Sequence, residues 1–168
     1  MIDVKLSIVN SKPEIFRIIR VDENINLQLF HEVIQAAFEW SNMHSHFYNA
    51  DKSILKNEEE ISLGHALNTW ENLIYVYDLA DFWTISISLL ATNSGELSKK
   101  PVCLEGQGKS PPEDSGGIIN YCEVLELLVK HNKGDRQYPL IADWLGEDYN
   151  PNEFNCEQIN LNFKNLVL

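Results

Sequence analysis

Four carboxylates stand near turns rather than along helix faces: Asp78, Asp81, Glu113 and Asp114. Asp78 and Asp81 bracket the turn in "YDLADFW" (77–83). Glu113 and Asp114 sit side by side in "SPPEDSGG" (110–117), between two prolines and two glycines. Acids held in this way can work as a general acid and base or hold a divalent cation. His44 and His46 add imidazole. At i, i+2 on a strand they share one face, so they are the metal-ligand candidates. Tyr75 and Tyr77 share a face by the same rule, and Trp83 follows the turn. Tyr77, Trp83 and Arg17 are the ligand-binding candidates. Each residue also has a plainer use. Turn aspartates bond nearby amides, and imidazole serves as an ordinary polar strand residue. The prolines fix an extended entry. Gly116 and Gly117 permit positive φ or close backbone approach, and Asp114 or Ser115 can satisfy amides at a helix start.

The elements that must position these residues follow from periodicity. Residues 3–9 alternate, with Val4, Leu6 and Ile8 on one face, and 14–21 form a second strand after the turn "NSKP". Phe16 and Arg17 lie in that second strand. The period then changes near Asn26, a plausible N-cap, and 27–39 read as a helix. "HSHFYNA" (44–50) reads as a third strand, and 73–90 as a hairpin. Residues 91–100 are polar and aperiodic, and "DKSILKNEEE" is an acidic loop with a solvated face. Helical patterns follow over about 118–131, 137–145 and 155–166. His31 and His65 fall in helical patterns as structural or solvated residues. Trp40, Trp70 and Trp144 are core or interface anchors. The fold class is α+β: a β-grasp-like hairpin–helix opening, a mixed or antiparallel sheet covered on one face, and helices in the C-terminal half. With no internal repeat and no separating linker, residues 1–168 read as a single domain.

The chain carries 25 acids against 13 lysines and arginines, a net charge of -12. That balance repels phosphate backbones and disfavours a general nucleic-acid binder. Cys103, Cys122 and Cys156 form no C-x-x-C pair, which reads as reduced thiols in a cytoplasmic protein. Cys122 and Cys156 fall in apolar helical patterns. No apolar run reaches the roughly 20 residues of a membrane span, and the N-terminus does not read as a signal peptide. There is no G-x-S-x-G elbow, P-loop, G-x-G-x-x-G or H-E-x-x-H. No cofactor is expected.

The ordered motifs "KPEIFRIIRV", "LFHEVIQAAFEW", "HSHFYNA", "YVYDLADFWTISI", "VCLEGQGKSPPEDSGGIINY" and "EFNCEQIN" resemble the plasmid pRiA4b ORF-3-like family, over roughly residues 3 to 162. The resemblance implies a compact α+β domain. It also implies an association, for some members, with plasmids and mobile elements, under transposon-passenger or resolvase-like labels. It implies no particular activity. The family hairpin usually reads Tyr-Asp-Phe-Gly-Asp-x-Trp with a His two residues on. Here Tyr77, Asp78, Asp81 and Trp83 match, while Leu79, Ala80 and Ile85 depart. The family's Trp-Arg pair becomes Phe16-Arg17. Cys103 and the Pro-Pro-Glu-Asp core match, but Ser110 and Ser115 stand at two cysteine positions, too few thiols for a thiolate metal site.

Three functional readings follow. The first is a non-catalytic binding or interaction module for a protein or peptide partner. The second is a metal-assisted hydrolase using Asp78, Asp81, Glu113, Asp114 and a histidine. The third is an accessory DNA-handling protein of a mobile element. Convergence of Asp81 and Glu113 into one cleft separates the second from the first. Docking of the helix beginning near Ile118 predicts that Asp81 and the Pro111–Gly117 loop lie together, with the acids mainly structural.

Overall fold

The computed structural model describes residues 1–93, 100–130, 145–146 and 149–168. Alternation in "IDVKLSI" makes β1 (Ile2–Ile8). β2 (Phe16–Val21) returns beside it, with Ile2 opposite Val21 and Ser7 opposite Phe16. The period changes at Asn26, whose Oδ1 accepts the Leu29 amide at 2.9 Å and starts α1 (Leu27–Phe38). There follow β3 (His46–Ala50), β4 (Ser53–Ile54), α2 (Leu63–Thr69), β5 (Leu73–Tyr77), β6 (Trp83–Thr92), β7 (Val102–Gln107), α3 (Gly117–Lys130) and α4 (Cys156–Asn165).

The seven strands form one sheet in the order β4-β3-β5-β6-β1-β2-β7, and every neighbouring pair is antiparallel. The fold is α+β, and of the mixed and antiparallel alternatives the sheet is the second. Because side chains alternate along each strand, the inner face is built in rows. One row runs Tyr48, Tyr75, Ile85, Ile8, and the next runs Ala50, Leu73, Ile87, Leu6, Arg17. α1 lies on this face and buries Phe30, Val33, Ile34, Ala37 and Phe38 completely. Each large apolar side chain so buried contributes roughly 1.5–3 kcal/mol. α4 packs beside α1 and β7, burying Ile159 and Phe163. The outer face carries Lys5, Ser7, Thr84 and Ser86, which keep partial contact with water.

The hairpin over residues 2–21 and the helix after it lie where periodicity put them, as do α3 and α4. β3 begins at His46 rather than at residue 44, and β6 runs into the stretch read as aperiodic. α2, β4 and β7 are elements that the periodicity did not pick out. The expected helix over 137–145 lies outside the described residues apart from Leu145, and so does Trp144. No helix of the described residues is long and apolar enough to cross a membrane.

One polar network lies inside the α1–sheet layer. Gln35 Nε2 donates to the Tyr75 hydroxyl at 2.8 Å, and the same hydroxyl is hydrogen-bonded to His31 Nδ1 at 2.7 Å. His31 Nε2 is hydrogen-bonded to Asn42 Oδ1 at 2.7 Å on the other side of the ring. The His46 ring stacks on His31 at 3.6 Å and bonds Glu58 at 3.0 Å. Burial, reinforced by repulsion from His46, pushes the His31 pKa down against the weaker pull of Asn42, Glu32 and Glu58. A base whose folded pKa is lowered binds protons more readily when unfolded. Its contribution is therefore whole above the ordinary histidine value of about 6.5 and lost as pH falls below it. Thermal unfolding followed from pH 7.5 down to 5 should show a falling midpoint in the parent. His31→Gln should flatten that slope, even if its midpoint is lower throughout, and parallel slopes in the two proteins would refute the assignment.

Candidate functional site

The acidic residues gather where the β5–β6 turn, the segment 40–45 and the loop 110–117 meet. Tyr77 ends β5, and its hydroxyl donates to Glu113 Oε1 at 2.6 Å. The Tyr77 hydroxyl also accepts the amides of Met43 at 3.1 Å and His44 at 3.4 Å. The second Glu113 oxygen accepts the Ser41 amide at 2.8 Å. Trp40 stacks on Tyr77 with centroids 5.2 Å apart, and its Nε1 donates to the Pro111 carbonyl at 3.0 Å. Burial alone would raise the Glu113 pKa. Hydrogen bonds from Tyr77 and Ser41, with the charge of His44, outweigh it and hold the carboxyl below its ordinary range. Burial, then the Glu113 carboxylate, pushes the Tyr77 phenol up to about 12.

Asp81 points elsewhere. Its Oδ2 accepts the Gly116 amide at 2.9 Å, just ahead of α3, where the helix end favours negative charge. Asp81 and the Pro111–Gly117 loop are thus in contact, but Asp81 and Glu113 bind different groups and do not share a cleft. Asp78 is buried, and its Oδ1 accepts the Ala80 amide at 2.8 Å, closing an Asx turn. His44 faces Asp78 Oδ2 at 3.7 Å and Asp114 Oδ1 at 3.4 Å, and these three form one potential ligand set.

The two metal-candidate histidines separate. His44 precedes β3, so the shared-face rule does not apply to it, and His46 belongs to the His31 network. Tyr77 and Trp83 are fully buried, and Trp83 packs edge-on to Tyr121 at 6.4 Å. Arg17 is 1% exposed because alternation places it in line with Ile19 and Val21. Its guanidinium donates to the carbonyls of Ala37, Phe16 and Gln107 and to Ser110 Oγ, between the rings of Phe38 and Phe154. Burial lowers its pKa to about 10, which leaves it charged. These three candidates therefore organise the core beneath the site. Sequence reasoning missed Ser41 and the Trp40–Pro111 bond. Backbone donors carry no residue-type signal, and Trp40 read as a generic anchor.

A family model described as plasmid pRiA4b ORF-3-like protein matches residues 1–158. The chain belongs to that family. It is 29% identical over 174 residues to the uncharacterized protein y4hQ of Sinorhizobium fredii (strain NBRC 101917 / NGR234), covering 95% of this chain and 89% of that one. Its fold is similar to the crystal structure of a protein of unknown function, MM3350, from Methanosarcina mazei Go1. That comparison gives a TM-score of 0.80 and 28% identity, with 93% and 95% of the two chains covered. The departures from the pRiA4b ORF-3-like hairpin pattern now have a geometry. Ala80, at the family's glycine position, is not at positive φ. The left-handed residues of this turn are Asp78 at 60° and Phe82 at 58°, so Ala80 carries no strain. Ile85, at the histidine position, is core. Ser110 Oγ accepts Arg17, whereas the buried Ser115 hydroxyl has no partner among the described residues.

Gly117 fixes how closely the loop and hairpin approach. Its φ is +75°, and a Cβ there would lie 2.3 Å from the Asp81 carbonyl oxygen. Gly146 has φ +93°, and a Cβ there would meet nothing within 4 Å among the described residues. Gly146→Ala should therefore cost about 1 kcal/mol, from conformation alone. Gly117→Ala should cost at least about 2 kcal/mol more, because the two segments must separate. Equal losses of stability in urea titrations of the two variants would show that the close contact is not enforced.

Proposed function

We propose that this protein is a non-catalytic interaction module whose β5–β6 end binds a basic peptide segment of a partner protein. The observation that carries this reading is the exposure of Met43, Leu79 and Phe82 around that end of the sheet. The Met43 amide bonds Tyr77, and Leu79 and Phe82 belong to the turn after it. Large apolar side chains exposed at one end of a sheet, with a carboxylate nearby, have the make-up of a binding surface. Asp114 supplies that carboxylate, and the net charge of -12 adds long-range attraction for a cation-rich partner. The hydrolase reading is weakened because both Glu113 oxygens and one Asp81 oxygen are taken up by the Ser41 amide, the Tyr77 hydroxyl and the Gly116 amide. The DNA-handling reading is weakened by the charge.

An array of peptides varying in charge and apolar content tests the proposal. Lysine- and arginine-rich peptides bearing a large apolar residue should be retained at about 150 mM salt and released as salt rises. Leu79→Ser with Phe82→Asn should weaken retention at least about tenfold, which is about 1.4 kcal/mol. Asparagine is suited to the left-handed backbone at position 82. Retention unchanged in that variant, or tighter binding to duplex DNA than to any peptide, would overturn the reading. So would metal-dependent hydrolysis abolished by Glu113→Gln.

A further inference from the structure

We propose that His44, Asp78 and Asp114 bind one borderline divalent cation of the zinc class, which fastens the segment before β3, the β5–β6 turn and the acidic loop together. One ligand atom from each residue lies within 4.8 Å of the other two. The measured approaches, 3.7 Å from His44 Nδ1 to Asp78 and 3.4 Å from Nε2 to Asp114, are too long for good hydrogen bonds. They are made by opposite nitrogens of one ring, of which an imidazole offers an ion only one. Ligands at 2.0–2.1 Å in a tetrahedron stand about 3.3 Å apart, so closing the set from within 4.8 Å needs a shift of up to about 1.5 Å.

A second observation is independent of that spacing. Asp78 is only 4% exposed, and its Oδ1 is occupied by the Ala80 amide. Its Oδ2 accepts no hydrogen bond from the described residues and is aimed at His44. Without a protein donor, that oxygen keeps some contact with water and can take a cation in its place. Glu113 does not compete for that role, since Tyr77 and Ser41 hold it. One imidazole with two carboxylates suits zinc or its first-row neighbours better than magnesium or calcium, which prefer six or more oxygens. Three protein ligands leave a fourth position for water. The Asp114 side chain, 78% exposed, gives the ion an entry. This inference goes beyond the interaction reading and does not depend on it.

Calorimetric titration of the full chain with zinc chloride tests the site, alongside Asp114→Asn and His44→Gln. Both side chains are at least partly exposed, and asparagine tolerates the left-handed backbone of Asp114, φ 57°, so both variants should keep the parent's metal-free melting midpoint. The parent should bind one zinc per chain with a rise in that midpoint. Each variant should bind at least about tenfold more weakly, since even displaced supporting residues cost that much at metal sites. Three results would overturn the proposal: no saturable binding by the parent, binding unchanged in both variants, or a thiolate-to-metal absorption band on cobalt substitution that places the ion on the cysteines.

Discussion

The Tyr77 hydroxyl spends its whole hydrogen-bonding capacity on two segments far from it in the chain. It donates to Glu113 in the acidic loop and accepts from Met43 and His44 ahead of β3, while its own backbone closes the β5–β6 hairpin. A phenol has one donor and two lone pairs, so nothing is left over. The ring beneath it is clamped by Trp40, which reaches Pro111 through its indole nitrogen. The acidic loop is thereby held at both ends, by Trp40 and Tyr77 at Pro111–Glu113 and by Asp81 at Gly116.

This arrangement explains why so much stiffness, charge and backbone freedom are packed into "PPEDSGG". The prolines bring an extended chain past Trp40. Glu113 turns inward to Tyr77 and Ser41, whereas Asp114, at positive φ, turns outward beside His44. The glycines let the backbone pass against the Asp81 carbonyl and enter α3. Two neighbouring acids thus have opposite uses, one inside the fold and one at its surface. The contrast follows from backbone conformation rather than from residue type. The same economy applies to Arg17, a buried charge satisfied by three carbonyls and a serine instead of a carboxylate.

Much of the fold was legible because periodicity is a physical consequence of one-sided burial. β1, the helix after Asn26 and the 73–90 hairpin all bury one face, so their apolar spacing shows through. β7 was not legible: it is an edge strand in which only Cys103 is buried, so it has no alternation to read. α2 spans seven residues, barely two turns, too short to establish a period. In the site, the contact of Asp81 with the acidic loop was foreseen, since a helix docking on Trp83 must bring its start there. The pairing of His44 with His46 was not realised, because the chain turns at Asn42, φ 59°, and enters β3 only at His46. The Tyr77–Glu113–Ser41 links join residues up to 72 positions apart and include a backbone amide, which no local pattern encodes.

The central claim is that the Tyr77–Glu113 hydrogen bond couples the hairpin to the acidic loop. A double-mutant cycle with Tyr77→Phe, Glu113→Gln and the pair, each unfolded in urea, measures that coupling directly. A charge-assisted bond of this kind should give an interaction energy of at least about 1 kcal/mol. Additive losses, with coupling within about 0.3 kcal/mol of zero, would contradict the account.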